Sequence, residues 1–472
     1  MKIKKTKIIS TIGPSSNRPN IISHLIKKGM DVARINMAHT HIEKDVQSII
    51  EMIRSEAKKV NRNIAVMMDI AGPKIRVNFK SKGNDNLPIV KNRIYNMGYD
   101  TINDIPINLN IDFKEKKNEN ALVKIDDGKI IFKILSIKNN ILNLKALNSG
   151  YIKSNKGINF PHVNLVIPSI TKKDRNDIKL GLKYKVDWFS LSFVRSSKDI
   201  NPVINIFKKE NFFIPVIAKI EKPEAIENLI EIINKFDGIL IARGDLGVEA
   251  SLAKVPVLQK KIINECTKAK KTVIVATQIL ESMIENPTPT RAEVNDVANA
   301  VYDGVDAVML SGETAVGKYP IEAVSIMTEI INDVENSIES NKIQQVDTIR
   351  NDNRIAIGHS VRLISKTMDI DGIVVMSESG ATARIVSHYR PDVTIYGMSP
   401  HEYICNRMSL FWGVIPIQTR SFKSTDDMLI NAEKILISKN FMKKGQTFIL
   451  TAGIPVGVSG SSNMIQIQKI KK

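Results

Sequence analysis

The run Ile214-Pro215-Val216-Ile217-Ala218-Lys219-Ile220-Glu221 is apolar through most of its length and closes on two charges spaced two residues apart. Side chains alternate faces along a strand, so Lys219 and Glu221 share one face. Outward from this stretch the same form recurs. Gly238 to Leu246, Thr272 to Gln278 and Ala307 to Gly312 follow it, and Thr6 to Gly13, Val32 to Ala38, Ile64 to Ile70 and Val186 to Phe193 precede it. Helix-length amphipathic stretches lie between. Eight strands alternating with helices predict an α/β fold, a parallel (β/α)8 TIM barrel, in which residues at strand C-termini build the active site.

Two regions depart from that rhythm. From Pro73 to about His162, Asp126-Asp127-Gly128 and Asn148-Ser149-Gly150 punctuate short alternating segments such as Ile130-Ile131-Phe132-Lys133-Ile134-Leu135. This pattern suits a small inserted β-barrel domain, with Gly72-Pro73 as its hinge. From about Ile343 the chain turns polar and then resumes α/β alternation, with strands near Gly372 to Met376, Thr394 to Met398 and Thr447 to Thr451. The expected division is a catalytic barrel of residues 1–72 and 163–342, an inserted lid of 73–162, and a C-terminal α/β effector domain of 343–472.

Composition narrows the function. The 472 residues are 43% hydrophobic, 25% charged and 5% aromatic, values of an ordinary globular protein rather than a disordered or disulfide-rich one. The surplus of 68 Lys and Arg over 49 Asp and Glu gives a net charge of +19. Such a surplus raises nucleic acid, membrane surfaces or phosphorylated substrates as partners. The cations are spread along the whole chain, with no basic stripe interleaved with aromatics, so we read them as solvated faces and expect no nucleic acid. Two cysteines, Cys266 and Cys405, are too few for a disulfide framework. The apolar stretch behind the basic start ends at Gly13-Pro14, too short for a signal sequence, and no run reaches the length of a membrane span. A cytoplasmic enzyme without membrane contact is expected.

In Val32-Ala33-Arg34-Ile35-Asn36-Met37-Ala38, the period of two sets Arg34 and Asn36 on one face. A guanidinium at a barrel mouth can grip phosphate oxygens bidentately. Lys219 and Glu221 could be a structural ion pair, or could hold a phosphoryl group and a divalent cation. Mg²⁺ takes one or two carboxylates and completes its shell with water and substrate phosphates, and Asp245 in Ala242-Arg243-Gly244-Asp245-Leu246-Gly247 supplies the second carboxylate. A helix beginning there would offer N–H groups to an anion. Thr277, in Ala276-Thr277-Gln278, ends the seventh strand facing the same cavity. Thr290-Arg291-Ala292-Glu293 has the spacing of a capping box and is assigned to structure. The isolated histidines, His39 and His162 among them, lack metal-ligand spacing.

Taken in order, Thr11-Ile12-Gly13-Pro14, Arg34 to His39, Asp69 to Arg76, Lys219-Ile220-Glu221, Ala242 to Val248, Ala276-Thr277-Gln278 and Thr290 to Gly317 resemble the pyruvate kinase family over essentially the full length. The resemblance implies phosphoryl transfer from phosphoenolpyruvate to ADP, giving pyruvate and ATP. It implies that Arg34 binds the transferring phosphoryl group, that Lys219 stabilises its charge, and that Glu221 and Asp245 hold Mg²⁺. The backbone of Gly244 and Asp245 would receive the substrate carboxylate, and Thr277 would lie on the proton path to the enolate. Arg76 and Lys156 match nucleotide-binding positions, and a homotetramer is implied.

Two departures from the family pattern carry expectations. K⁺-requiring relatives bind that ion with an Asn, a Ser, an Asp and a carbonyl. Here Asn36, Asp69 and the Ile70 carbonyl remain, but Ala38 stands for the Ser. Lys74 occupies a position that is Glu in those relatives, and its ammonium is expected to replace the monovalent cation. Ser377-Glu378-Ser379-Gly380-Ala381-Thr382 resembles the effector phosphate loop, with Ser377, Ser379 and Thr382 as ligands. Ala381 replaces its usual cation, so weak or absent activation by a phosphorylated effector is expected. Two rival readings are a basic nucleic-acid-binding protein and a catalytically decayed barrel retained as a scaffold.

Overall fold

The computed structural model describes residues 4–40, 42–79, 86–99, 103–111, 113, 120–161, 163, 165, 167–338, 352–455 and 462–471. Eight strands, Lys7–Ile12, Val32–Asn36, Ala65–Ile70, Trp188–Leu191, Val216–Ile220, Gly238–Ala242, Thr272–Ala276 and Ala307–Leu310, pair in sequence order, all parallel. The first also pairs with the last, with Lys7 opposite Ala307, so the sheet closes into a barrel. Each strand lies inside one of the stretches read from the sequence.

Period-two alternation sorts the side chains. Ile9, Val32, Met67, Trp188, Ile217, Leu240 and Ile274 fill one core cluster. Their neighbours Ile8, Ala33, Met68, Phe189, Val216, Ile239 and Val273 join a second cluster with the surrounding helices. Burying one such aliphatic side chain contributes roughly 2 kcal/mol, so a register slip of one residue would be prohibitive. On the sixth to eighth strands the first face stays apolar to the end, at Ala242, Ala276 and Met309, but on the first five it changes character. Followed toward the C-terminal ends it becomes Thr11, Arg34, Asn36, Asp69, Ser190 and Lys219, and that polar end is the mouth. Thr171 and Thr290 cap the helices Lys172–Lys183 and Arg291–Tyr302 through reciprocal bonds to Asp174 and Glu293, the second as its spacing predicts.

Between the third and fourth barrel strands the chain forms a six-stranded sheet and the two-stranded ribbon Asn86–Ile89 with Gly150–Lys153. The outer strands of the sheet are Ile158–Asn159 and Ile105–Pro106. Arg76 bridges to Gly157 and Val77 to Ile107, so one short segment runs between the two edges and closes the sheet into a small barrel around its own core of Met97, Phe132, Leu142 and Leu144. Asp126, Asp127 and Gly128, with φ of 54°, 56° and 88°, make the turn that their residue types announce.

The C-terminal sheet has the order Val414–Gln418, Thr394–Ser399, Gly372–Met376, Thr447–Gly453, Ser462–Lys469, the last strand antiparallel. Its first and last strands were not expected from the sequence. This domain meets the barrel at the beginnings of the barrel strands: Lys7 Nζ donates to the Val414 carbonyl at 2.7 Å, and the Trp188 ring stands edge-on to Phe411. The opposite mouth is left clear of it. The expected boundaries at His162 and at 342/343 lie outside the described residues. No described helix is long and apolar enough to cross a membrane.

Candidate active site

Asp69 is the hub of the barrel mouth. One carboxylate oxygen, Oδ2, accepts from Arg34 Nε at 2.9 Å and from its terminal nitrogen, and Lys219 Nζ lies 3.4 Å away. The other, Oδ1, accepts from Ser190 Oγ at 2.7 Å. Burial alone would raise this carboxyl, but the charges of Lys219 and Arg34 overcome it and hold it below its ordinary value. Arg34 is steadied from its other side by Thr11 Oγ1, 2.8 Å from Nη1.

Lys219, 9% exposed, points into this cluster from the fifth strand. Its ammonium donates to Ser192 Oγ at 2.8 Å and sits 3.0 Å from Glu221 Oε1, the side-by-side placement read from the period of two. Burial disfavours the ammonium, yet Asp69 and Glu221 together more than offset this and raise its pKa. Glu221 is also held by the Phe193 N–H, 2.7 Å from Oε2. Its own pKa is raised by burial, and the nearby Asp245 carboxylate adds repulsion in the same direction.

Asp245 occupies the first turn of the helix Arg243–Glu249, which takes over where the sixth strand ends at Ala242. Lys74 Nζ, arriving from the hinge of the insertion, lies 3.3 Å from its Oδ1. Glu221 and Asp245 are the two hard carboxylates at this mouth that could hold a divalent cation. Among the described residues no group of three His, Cys, Asp or Glu side chains forms a metal cage.

Thr277 and Gln278 follow the seventh strand with φ of 66° and 53°, a region unfavourable for residues with a Cβ. Arg243 holds them there. Its guanidinium donates to both carbonyls at 2.9 Å and pairs with Asp296 at 2.7 Å. The Thr277 hydroxyl donates to the Ala276 carbonyl and accepts the Gly244 N–H at 2.8 Å. One of the backbone groups expected to meet a carboxylate is thus engaged by another expected site residue.

The three groups that remain of the expected K⁺ site each carry a bond within the protein. Asn36 Oδ1 accepts the Ala38 N–H at 3.1 Å, Asp69 is bonded as above, and the Ile70 carbonyl accepts from the Ser192 N–H at 3.3 Å. Lys74 is paired with Asp245.

Arg76 and Lys156 both lie at the seam of the insertion. Arg76 Nη1 donates to the Asn155 carbonyl at 2.9 Å, and Lys156 Nζ is 2.8 Å from Asp126 Oδ1. The loop 377–382 is in the other domain, between the strand Gly372–Met376 and the helix Ala381–His388. Ser377 Oγ accepts the Gly380 N–H at 2.9 Å, Thr382 Oγ1 contacts Ser462 Oγ, and Glu378 is 3.0 Å from His401 Nε2. Ser379 lies in the turn between them.

Sequence reasoning passed over Thr11, Ser190 and Ser192 as site residues. Their signal was present, since 190 and 192 alternate onto the inner face of the fourth strand, but serine carries no chemistry of its own until Asp69 and Lys219 are seen beside it.

Buried cations and carboxylates converging at the C-terminal mouth of a parallel barrel suit a phosphotransferase, whose chemistry depends on positioning and charge neutralisation. Residues 3–324 match the pyruvate kinase barrel domain and residues 355–468 the pyruvate kinase alpha/beta domain. Pyruvate kinases of Staphylococcus aureus strains USA300 and NCTC 8325 are each 39% identical over 475 residues, covering 99% of this chain and 81% of the relative. A crystal structure of a pyruvate kinase from Cryptosporidium parvum superposes with a TM-score of 0.89 at 32% identity, over 99% of this chain and 96% of that one. The chain belongs to the pyruvate kinase family.

Proposed function

We propose that the barrel mouth transfers a phosphoryl group from phosphoenolpyruvate to ADP in a Mg²⁺-dependent reaction that yields pyruvate and ATP, the closing step of glycolysis. The observation that carries this reading is the pair of buried cations, Arg34 and Lys219, held on Asp69 beside Glu221. Arg34 grips the phosphoryl oxygens, and Lys219 neutralises charge on the group in flight. Glu221 and Asp245 would hold Mg²⁺, which when bound would supply further neutralisation of the phosphoryl charge.

A substrate carboxylate at the Gly244 and Asp245 backbone displaces Thr277 Oγ1 from the Gly244 N–H. That hydroxyl is then free to sit on the proton path to the enolate carbon. Arg76 and Lys156, at the seam of the lid, bind the nucleotide. The domain division stated above, a cytoplasmic location and a homotetramer complete the reading, by likeness to the family.

Pyruvate formation from phosphoenolpyruvate and ADP, followed in a coupled assay, tests the function, and its absence from folded protein would refute it. Run in K⁺-free buffer, the same assay tests whether Lys74 replaces the monovalent cation. The missing hydroxyl at Ala38 and the cation that Lys74 brings to the barrel mouth, 3.3 Å from Asp245, support that replacement. Activity is expected to rise less than about twofold on adding K⁺, and a large stimulation counts against it.

The loop 377–382 has no cation at Ala381 and carries a carboxylate at Glu378, which repels phosphate. Saturation curves for phosphoenolpyruvate should therefore stay in place when sugar phosphates or nucleoside monophosphates are added. A strong leftward shift would restore an effector role.

A further inference from the structure

Glu249 ends the helix whose first turn carries Asp245. It is 1% exposed, and one oxygen, Oε1, takes two bonds that lead in different directions. Asn159 Nδ2, from the inserted domain, donates at 2.9 Å. Lys222 Nζ, from the residue directly after Glu221, donates at 2.5 Å. The second oxygen, Oε2, is buried and takes no hydrogen bond among the described residues. A further bond joins the same two bodies: Lys124 Nζ donates to the Val248 carbonyl at 2.6 Å, and Lys124 is the register partner of Asn159 in the sheet of the insertion.

We propose that Glu249 is a positioning residue that couples the pose of the inserted domain to the spacing of the two carboxylates, Glu221 and Asp245. The inference rests on the metal-binding reading of that pair. Two adjacent strands of the insertion, through Asn159 and Lys124, grip the C-terminal end of a seven-residue helix. Asp245 lies one turn before Glu249 in this helix, so a displacement of the helix end is passed to Asp245. Through Lys222 the same carboxylate anchors the segment carrying Glu221. Lys156, three residues before Asn159, rides on the same stretch of the insertion. When nucleotide engages the seam at Arg76 and Lys156, the shift of the insertion is passed through Asn159 to Glu249 and so to both metal-binding carboxylates. The unpartnered Oε2 gives the donors a second acceptor as the insertion rotates.

The test is Mn²⁺ binding to the substrate-free full-length enzyme, read by the electron paramagnetic resonance signal of the free ion. Glu221→Gln is the control for the metal reading and should abolish tight binding. Asn159→Ala and Lys124→Met change no group near the metal, yet each should weaken Mn²⁺ binding by roughly 3- to 10-fold, and Glu249→Gln by a similar factor. In the Glu249→Gln background, Asn159→Ala should add nothing further. In steady state all three should raise KM for ADP more than they lower kcat, a split that general loosening of the fold would not give.

Unchanged Mn²⁺ affinity in Asn159→Ala and Lys124→Met, with Glu221→Gln still abolishing binding, overturns the coupling and leaves the metal reading intact. Additive effects of Asn159→Ala and Glu249→Gln also overturn it, since Glu249 would then act only through Lys222. Mn²⁺ binding indifferent to Glu221→Gln overturns the metal reading and the coupling with it.

Discussion

Lys219→Met should lower kcat for pyruvate formation by about 10²- to 10³-fold while the protein remains folded. The ammonium is the group that touches Asp69, Glu221 and Ser192 together, so it stands between Arg34, the proposed phosphoryl grip, and the proposed metal carboxylates. Methionine matches the stem in length and fills the same space without a donor. Fold loss is limited because both acidic partners keep another bond. Asp69 retains Arg34 and Ser190, and Glu221 retains the Phe193 N–H. Mn²⁺ affinity should hold or rise, since a cation that competed for Glu221 is gone. Single-turnover phosphoryl transfer, measured beside a thermal melt, checks both halves of the expectation. Turnover near the native rate would remove Lys219 from the chemistry.

The barrel was legible because two signals agreed over eight strands: Ile- and Val-rich runs of strand length, and polar residues where each run ends. Lys219 beside Glu221 followed from the period of two alone, and the structure places them 3.0 Å apart. What escaped was whatever depends on the neighbour across the sheet. Ser190 lies in a run that reads as core, and it becomes informative only when the register sets it opposite Asp69. The engagement of Thr277 with the Gly244 N–H joins the ends of two adjacent strands 33 residues apart in sequence, and no spacing rule reports such a contact. Lys74 shows the same limit. Its substitution was visible as a departure from the family, but its partner Asp245, 171 residues on, was not. The strands Val414–Gln418 and Ser462–Lys469 were missed for another reason. The first contains Pro416, and the second, at the sheet edge, is half-exposed or exposed everywhere but Ser462, which weakens the apolar signal.

Asp69→Asn should destabilise the enzyme more than Lys219→Met does, by about 3 kcal/mol, and should also abolish most of its activity. Asp69 has no proposed contact with the reacting atoms, so the argument runs through what its loss leaves behind. The carboxylate is 2% exposed and compensates two buried cations at once. A neutral amide of the same shape keeps a carbonyl for one donor but turns an N–H₂ group toward another. Arg34 and Lys219 then face each other across a buried site with only Glu221 to balance them. Breaking one side of a buried charge cluster is costly because the remaining charge cannot regain its hydration. The expectation has a distinctive corollary. If uncompensated positive charge is the cause, Asp69→Asn combined with Arg34→Met should be more stable than Asp69→Asn alone, while remaining inactive because the phosphoryl grip is gone. Urea denaturation of the two single variants and the double variant supplies the cycle. Additive losses in that cycle would mean that Asp69 acts through packing, and that the charge balance at the barrel mouth is set by some other group.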